Sequence, residues 1–379
     1  VRKRVNPAES SQRSNPSRRE FLRRAGLLAG GLALLGPTGL FRSGTAGAVI
    51  ADSRAYPPGK YALALDGVVS GWIQSADGGN ARADVVTEGP GQTFFAKKHI
   101  GQLKYEPIVV EFGAGMGKGF YDWVRASLNM NYQRKNGAII AADYELKEKT
   151  HMDFFNALIT EVAFPALDAA SKDTAHLTVK LAPEYTRMAK GSGAAVPVDK
   201  ASQQKIFTPK NFRLKILNLE QACARVNRIE ALTIKQKTVE SAIGDARDYQ
   251  KEPGKLEFPN LVFTLPEADA GPFYAWYEDF VLKGNNADQL ERPGVLELLA
   301  ADQTVLFTLT FYNLGIFNFA PMKEDVGEDA IRRVKIEMYC ERIDFQAGPI
   351  TAAAPPAAPG QPLPPGIVPK IPVIPNPIR

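Results

Sequence analysis

A chain of 379 residues with 45% hydrophobic content is long enough for two or three compact domains with cores of their own, which excludes a chain disordered throughout. The formal charge of +5 would point to an anionic partner, yet nine Lys and Arg and only two Glu fall in residues 1–48. The remainder carries 37 basic and 39 acidic residues, so its charge balance gives no argument for nucleic acid or a membrane surface.

Residues 1–48 read as an export signal. Ser17-Arg18-Arg19-Glu20-Phe21-Leu22-Arg23 resembles the twin-arginine translocation motif, with Arg18 and Arg19 as the pair. Behind it, Ala25 to Leu35 is apolar but too short for a stable membrane span, and Ala46-Gly47-Ala48 fits a small-residue cleavage site. The expected destination is the periplasm, the cell surface or the medium, the alternative being that the chain stays in the cytoplasm within a larger particle.

A first unit, residues 60–188, opens with the alternating strand Tyr61–Leu65 and the turn signal Asp66-Gly67. Lys104–Phe112 is strand-like, and a helix is predicted from about Gly119 to Met130, with Phe120, Trp123, Val124 and Leu128 on one face. Ala138–Leu146, Asp153–Phe164 and His176–Ala182 follow as strands by β-branched content and alternation. A Gly, Ala, Ser and Lys-rich stretch, residues 189–205, reads as a flexible linker. The second unit, residues 206–346, repeats the order: Asn211–Ile216, Glu257–Leu265, a helix over Gly271–Leu282 with Phe273, Trp276, Tyr277 and Phe280 on one face, then Val295–Ala300, Leu306–Phe317 and Val334–Tyr339. Residues 347–379 are Pro-rich and should be extended and solvated.

The two units agree in spacing. Leu103 precedes Phe120 by seventeen residues, as Leu256 precedes Phe273; Gly137 precedes Asn156 by nineteen, as Gly294 precedes Asn313; Asn156 precedes Glu184 by twenty-eight, as Asn313 precedes Glu341. This reads as a duplicated domain, each copy a mainly β sandwich or partly closed barrel with one helix anchored by Phe120 and Trp123 or by Phe273 and Trp276.

Candidate chemistry is sparse. Gly113–Gly119 is Gly-rich before a helix, but no Gly stands where Gly-x-x-x-x-Gly-Lys needs one, and neither Ser nor Thr follows Lys118. His99, His151 and His176 all lie in the first unit, facing Glu252, Leu309 at a loose alignment, and Arg333 in the second. His151-Met152-Asp153 lacks metal-ligand spacing across two elements, and no nucleophile elbow accompanies His176. Cys223 and Cys340 are read as buried free thiols. No catalytic residue, cofactor or metal is expected.

A family resemblance rests on Lys98-His99-Ile100-Gly101 through Phe112-Gly113, on Lys251-Glu252-Pro253-Gly254 through Leu261, and on Phe154-Phe155-Asn156-Ala157, Phe164-Pro165, Tyr312-Asn313 and Phe319-Ala320-Pro321. This ordered set resembles the tail tube proteins of contractile-tailed phages and bacterial contractile injection systems, with Gly101, Asn156, Pro165, Gly254, Asn313 and Pro321 as the repeated signature. The resemblance implies barrel-like domains that pack side by side into six-fold rings and stack into a hollow tube. It also implies that the loop after the first strands of each unit, about Ser75–Ile100 and Ala222–Lys251, reaches a neighbouring subunit or ring. Two domains per chain imply a trimer with pseudo-six-fold symmetry, or a hexamer, with other tail or injection-system components as partners. A secretion leader departs from the family, whose tubes assemble in the cytoplasm. The expected function is therefore structural, as a ring- or tube-forming protein; the alternative is an exported two-domain binding protein with the same fold and no tube.

Overall fold

A computed structural model describes residues 59–89, 95–197, 207–241, 249–322 and 331–348. The export signal with Arg18 and Arg19, residues 198–205 of the expected linker and the Pro-rich tail beyond Gly348 lie outside the described residues.

In chain order the first half contains β1 (Lys60–Leu65), β2 (Val68–Ile73), β3 (Ser75–Gly78), β4 (Ala81–Glu88), β5 (Lys97–Tyr105), β6 (Ile108–Phe112), α1 (Lys118–Leu128), β7 (Lys135–Ala142), β8 (Glu148–Phe164), β9 (Leu167–Asp168), β10 (Leu177–Ala182) and β11 (Tyr185–Lys190). The second half contains β12 (Phe212–Ile216), α2 (Glu220–Cys223), β13 (Arg228–Ile229), β14 (Leu232–Ser241), β15 (Gln250–Glu257), β16 (Leu261–Pro266), α3 (Gly271–Tyr277) with a wider helical turn to Leu282, β17 (Arg292–Leu299), β18 (Val305–Pro321), β19 (Arg333–Tyr339) and β20 (Arg342–Ala347).

The fold is mainly β. One sheet runs β2-β1-β7-β8-β10-β6-β3 and also takes β11, β14 and β15; the other runs β12-β17-β18-β19-β16-β13-β9 and also takes β20. Each therefore accepts strands from the opposite half. The hairpin β4–β5 alone forms a separate two-stranded sheet.

β8 and β18 organise their sheets. Each is seventeen residues long and changes partners midway: β8 lies beside β7 and β11 in its first part and beside β10 in its second, as β18 lies beside β17 and β20 and then β19. The change of partner sits at Asn156 and Asn313, whose φ values of 50° and 56° are left-handed. Asn tolerates that region because its short amide bonds locally. Gly137, opposite Phe154, could not carry a Cβ without striking the Ala64 carbonyl and the Phe154 ring.

Helix α1 buries Phe120, Trp123, Val124, Ser127 and Leu128, the i, i+3, i+4, i+7, i+8 stripe of an amphipathic helix. The indole Nε1 of Trp123 donates to the Gln133 carbonyl (2.8 Å). α3 begins with Pro272 in its first turn, where a missing N–H costs nothing, and buries Phe273 and Trp276. The buried residues of both halves form one contiguous core from Leu63 to Phe345.

Three sequence expectations change. Lys104–Phe112 and Glu257–Leu265 are each two strands, broken at Glu106-Pro107 and at Phe258-Pro259-Asn260, because Pro cannot donate to a ladder. The segments 75–100 and 222–251 carry strands rather than open loop, and β14 satisfies its edge on the chain's own β8. The stretch 189–205 begins inside β11, and Val196 is buried against Ala62 and Ala142 with its N–H on the Leu146 carbonyl (2.9 Å). An apolar residue landing on the back of β1 and β7 removes that length from any free linker.

Candidate assembly interface

The contact between the two halves is the most elaborated polar and aromatic surface in the chain. Leu232–Lys235 of β14 add to β8 in the register Leu232↔Phe164, Thr233↔Ala163, Ile234↔Val162 and Lys235↔Glu161. Leu232 and Ile234 point inward and are buried, while the alternate residues stay at the surface, the period-two pattern of a half-buried strand. Through this pairing β10, β8, β14 and β15 form a continuous sheet across both halves.

Beside it, α1 leans on β20. Tyr121 packs edge-on to Phe307 (5.5 Å between centroids) and tilts toward Phe345 (6.1 Å), which also meets Phe164 (5.8 Å). Burial pushes the Tyr121 hydroxyl up to about 12, against the opposing effect of the Met116 N–H that it accepts (3.1 Å). At the rim, Arg125 pairs with Asp344 (3.3 Å) and the Asn129 amide donates to the same carboxylate (2.9 Å).

A third contact gathers charges. Arg134 lies 2.7 Å from Glu252 and 3.8 Å from Glu184, and donates to the Lys251 carbonyl (3.0 Å). The Lys251 N–H donates to Glu184 (3.2 Å), and its side chain is buried, which holds its ammonium below the usual lysine range against the pull of Glu240 and Glu184. Truncating one member of such a cluster leaves the others desolvated and unpaired.

The signature residues serve this architecture. The Asn156 amide donates to Glu184 (2.7 Å), and the Asn313 amide to Glu341 (2.6 Å). Gly101 and Gly254 sit at the bulges of β4–β5 and β14–β15, where the register shifts between Ala83 and Val85 and between Gln236 and Thr238. Pro165 follows β8 and Pro321 ends β18, but the two are not register equivalents. Thr178 faces Ala163 as Lys335 faces Ala320, so Pro321 corresponds to Phe164. Ladder register likewise sets Thr308, not Leu309, opposite His151: Ile140 faces His151 as Glu297 faces Thr308.

The remaining candidates are local. His99 pairs across its hairpin with Glu88 (3.3 Å), and His151 lies between Glu148 (2.6 Å) and Asp153 (3.5 Å). Cys223 and Cys340 are free thiols whose burial pushes both up to about 12. The spacing of aromatics marked the helix faces, but nothing in the sequence singled out Arg134, Arg125 or Asp344, since isolated surface charges carry no periodicity.

Comparison with known proteins gives a family match over part of the chain. Residues 57–187 match the family of the T4-like virus tail tube protein gp19. No curated protein matches. Among solved structures, the sheath–tube complex of an extracellular contractile injection system (PVC, extended state) is 21% identical and covers 38% of this chain and 99% of its own, with a TM-score of 0.33. The anti-feeding prophage cap is 21% identical, covering 38% and 99% with a TM-score of 0.32. Hcp1 from Flavobacterium johnsoniae is 14% identical, covering 35% and 96% with a TM-score of 0.22. Residues 57–187 are thus similar to the tail tube proteins of the T4-like gp19 family.

Proposed function

We propose that this chain is a ring-building tube subunit in which residues 206–346 act as a second tube-like domain, so that three copies close a ring of six domains. The observation that carries this reading is the repeated ladder register. β7 meets β8 through Gly137↔Phe154 as β17 meets β18 through Gly294↔Phe311, and β11 meets β8 through Tyr185↔Phe155 as β20 meets β18 through Arg342↔Tyr312. A chain holding two like halves in one fixed contact supplies half of a closed ring's interfaces covalently, and a heterologous contact forms a ring where its rotation closes and a helical filament where it does not. Other tail or injection-system components would stack on the ring faces.

Negative-stain electron microscopy of the full chain over a range of concentrations tests this. Rings or stacked tubes with three-fold or six-fold averages are the expected result. Uniform single particles at every concentration would instead favour an exported two-domain binding protein. The leader adds a separate proposal, export of the folded chain by the twin-arginine route; Arg18→Lys with Arg19→Lys should retain the protein in the cytoplasm on fractionation, and unchanged export would rule that route out.

A further inference from the structure

The Pro-rich tail beyond Gly348 and one face of the second half have matching chemistry. In the first half the corresponding face is closed: Tyr121 packs against Phe307 and Phe345, and Val124 and Val162 are buried. Those three positions return as Tyr274, Tyr277 and Phe319, since Phe120 corresponds to Phe273 and Val162 faces Val179 as Phe319 faces Ile336. Two valines have become aromatic rings on a face that stays partly open.

Phe319 meets Tyr274 edge-on at 5.3 Å between centroids and stacks on Tyr277 at 6.0 Å, so the three form one aromatic ledge. Tyr274 is 47% exposed, and Val281 and Leu282 extend the apolar surface from the wider turn that follows α3. Neither tyrosine hydroxyl has a hydrogen-bond partner among the described residues. Rings with free hydroxyls at their edges suit a polyproline II helix, whose pyrrolidines pack on aromatic planes and whose carbonyls have no internal hydrogen bonds.

The tail supplies such a ligand. From Ile367 to Ile378 six residues are Ile or Val and four are Pro, leaving Lys370 and Asn376 as the polar ones. A polyproline II helix turns once every three residues. On that period Pro369, Pro372 and Pro375 share one face, and Val368, Ile371, Ile374 and Pro377 share a second. Only the third carries a charge and an amide, at Lys370 and Asn376. Two apolar faces side by side fit a helix that lies on a surface better than a spacer solvated all round.

Length permits the contact within one chain. Gly348 is tied beside the start of β18, its N–H donating to the Leu306 carbonyl (2.7 Å) and its carbonyl accepting from the Thr308 hydroxyl (2.9 Å). Phe319 lies eleven residues beyond Thr308 on the same strand, at most about 36 Å away. The eighteen residues from Pro349 to Gly366 span about 56 Å as polyproline II, so residues 367–378 reach the ledge with slack.

We infer that residues 367–378 of this chain lie as a polyproline II helix on the ledge of Tyr274, Tyr277 and Phe319, with proline rings on the aromatic planes and the tyrosine hydroxyls donating to tail carbonyls. The occupant is the chain's own tail, because its exit at Gly348 brings it to the ledge without a second molecule. The contact stands whether or not copies close into rings. Any copy that packs on this face has first to displace the tail.

Tyrosine nitration of the full chain, at concentrations low enough for single chains, tests this. Tyr274 should react about three-fold or more slowly than in the variant Ile371→Asp with Ile374→Asp, whose substitutions lie in the tail and leave the core untouched. Tyr144, 77% exposed in the first half, is the internal reference and should react alike in both. Pro369→Ala with Pro372→Ala and Pro375→Ala keeps the length, loses the pyrrolidines and should also release Tyr274. Equal Tyr274 rates in the native chain and the aspartate variant would overturn the docking, and release by the aspartates alone would overturn its polyproline geometry. Protection that ignores the tail substitutions and grows with protein concentration would assign the ledge to a second copy's folded surface. Protection that needs the tail but fades on dilution would place the tail on a second copy, overturning the contact within one chain.

Discussion

At the scale of the residue, the fold turns on two asparagines and one glutamate. Asn156 holds a left-handed backbone where β8 changes partners, and its amide reaches a carboxylate on the next strand turn. Asn156→Ala removes a hydrogen bond to a charged group, worth about 1.5–3 kcal/mol, and the local amide bonding that lets asparagine hold a left-handed backbone, a region that costs other Cβ-bearing residues roughly 1–2 kcal/mol. Urea unfolding should show a loss of about 3 kcal/mol, with Asn156→Gly losing less because glycine tolerates the angle; equal losses would locate the whole effect in the hydrogen bond. Glu291 works the other way. Its carboxyl is raised above its unfolded value, so its contribution to stability is complete below the ordinary carboxylate range and declines as pH rises through the raised value. Glu291→Gln keeps an acceptor for the Tyr339 hydroxyl (2.7 Å in the native chain) and abolishes the decline. The chain should therefore melt higher at neutral pH and unchanged in acid. A variant that melts lower at neutral pH would show that the charge is already compensated within one chain.

Elements differ in how far a sequence exposes them. The two helices were legible because aromatics at i and i+3 need one buried face, and the long strands because their apolar residues alternate. Breaks at Pro107 and Pro259 were harder to place, since apolar residues continue on both sides of the missing donor, Leu103 and Tyr105 before Ile108, and Leu256 and Phe258 before Leu261. What periodicity could not tell was whose edge β14 completes: Leu232 and Ile234 announce a half-buried strand, not the strand beside it. The interface charges were invisible for the same reason, as Arg134 gains meaning only from Glu184 and Glu252 brought from 50 residues or more away along the chain. Hydrogen exchange reads the resulting difference between hairpins. Amides of Leu232–Lys235 should be slow in isolated chains, whereas those of Ala81–Ala83, which lie in a sheet of two strands among the described residues, should exchange faster. Slow exchange of both hairpins in dilute, single chains would mean that β4 finds its partner within the molecule.

For the whole molecule, the contact between the two halves is anchored by buried aromatic rings, so it should outlast any contact between copies that rests on surface charge. Surface charges more than a Debye length apart are screened, about 10 Å at 0.1 M and 3 Å at 1 M. Raising salt should therefore dissolve rings into folded chains well before any chain unfolds, visible as a loss of mass by light scattering with circular dichroism unchanged. Coincident loss of both signals would make assembly and folding one transition. A tube also has to transmit load, and here the seventeen-residue strands matter. Because β8 and β18 each run unbroken from one set of partners into another, a force that slides those sets apart pulls along covalent backbone instead of unzipping hydrogen bonds one at a time. Each half is sewn together by a single inextensible thread of about 55 Å, and a wall built from such pieces yields at the seams between chains before its panels tear.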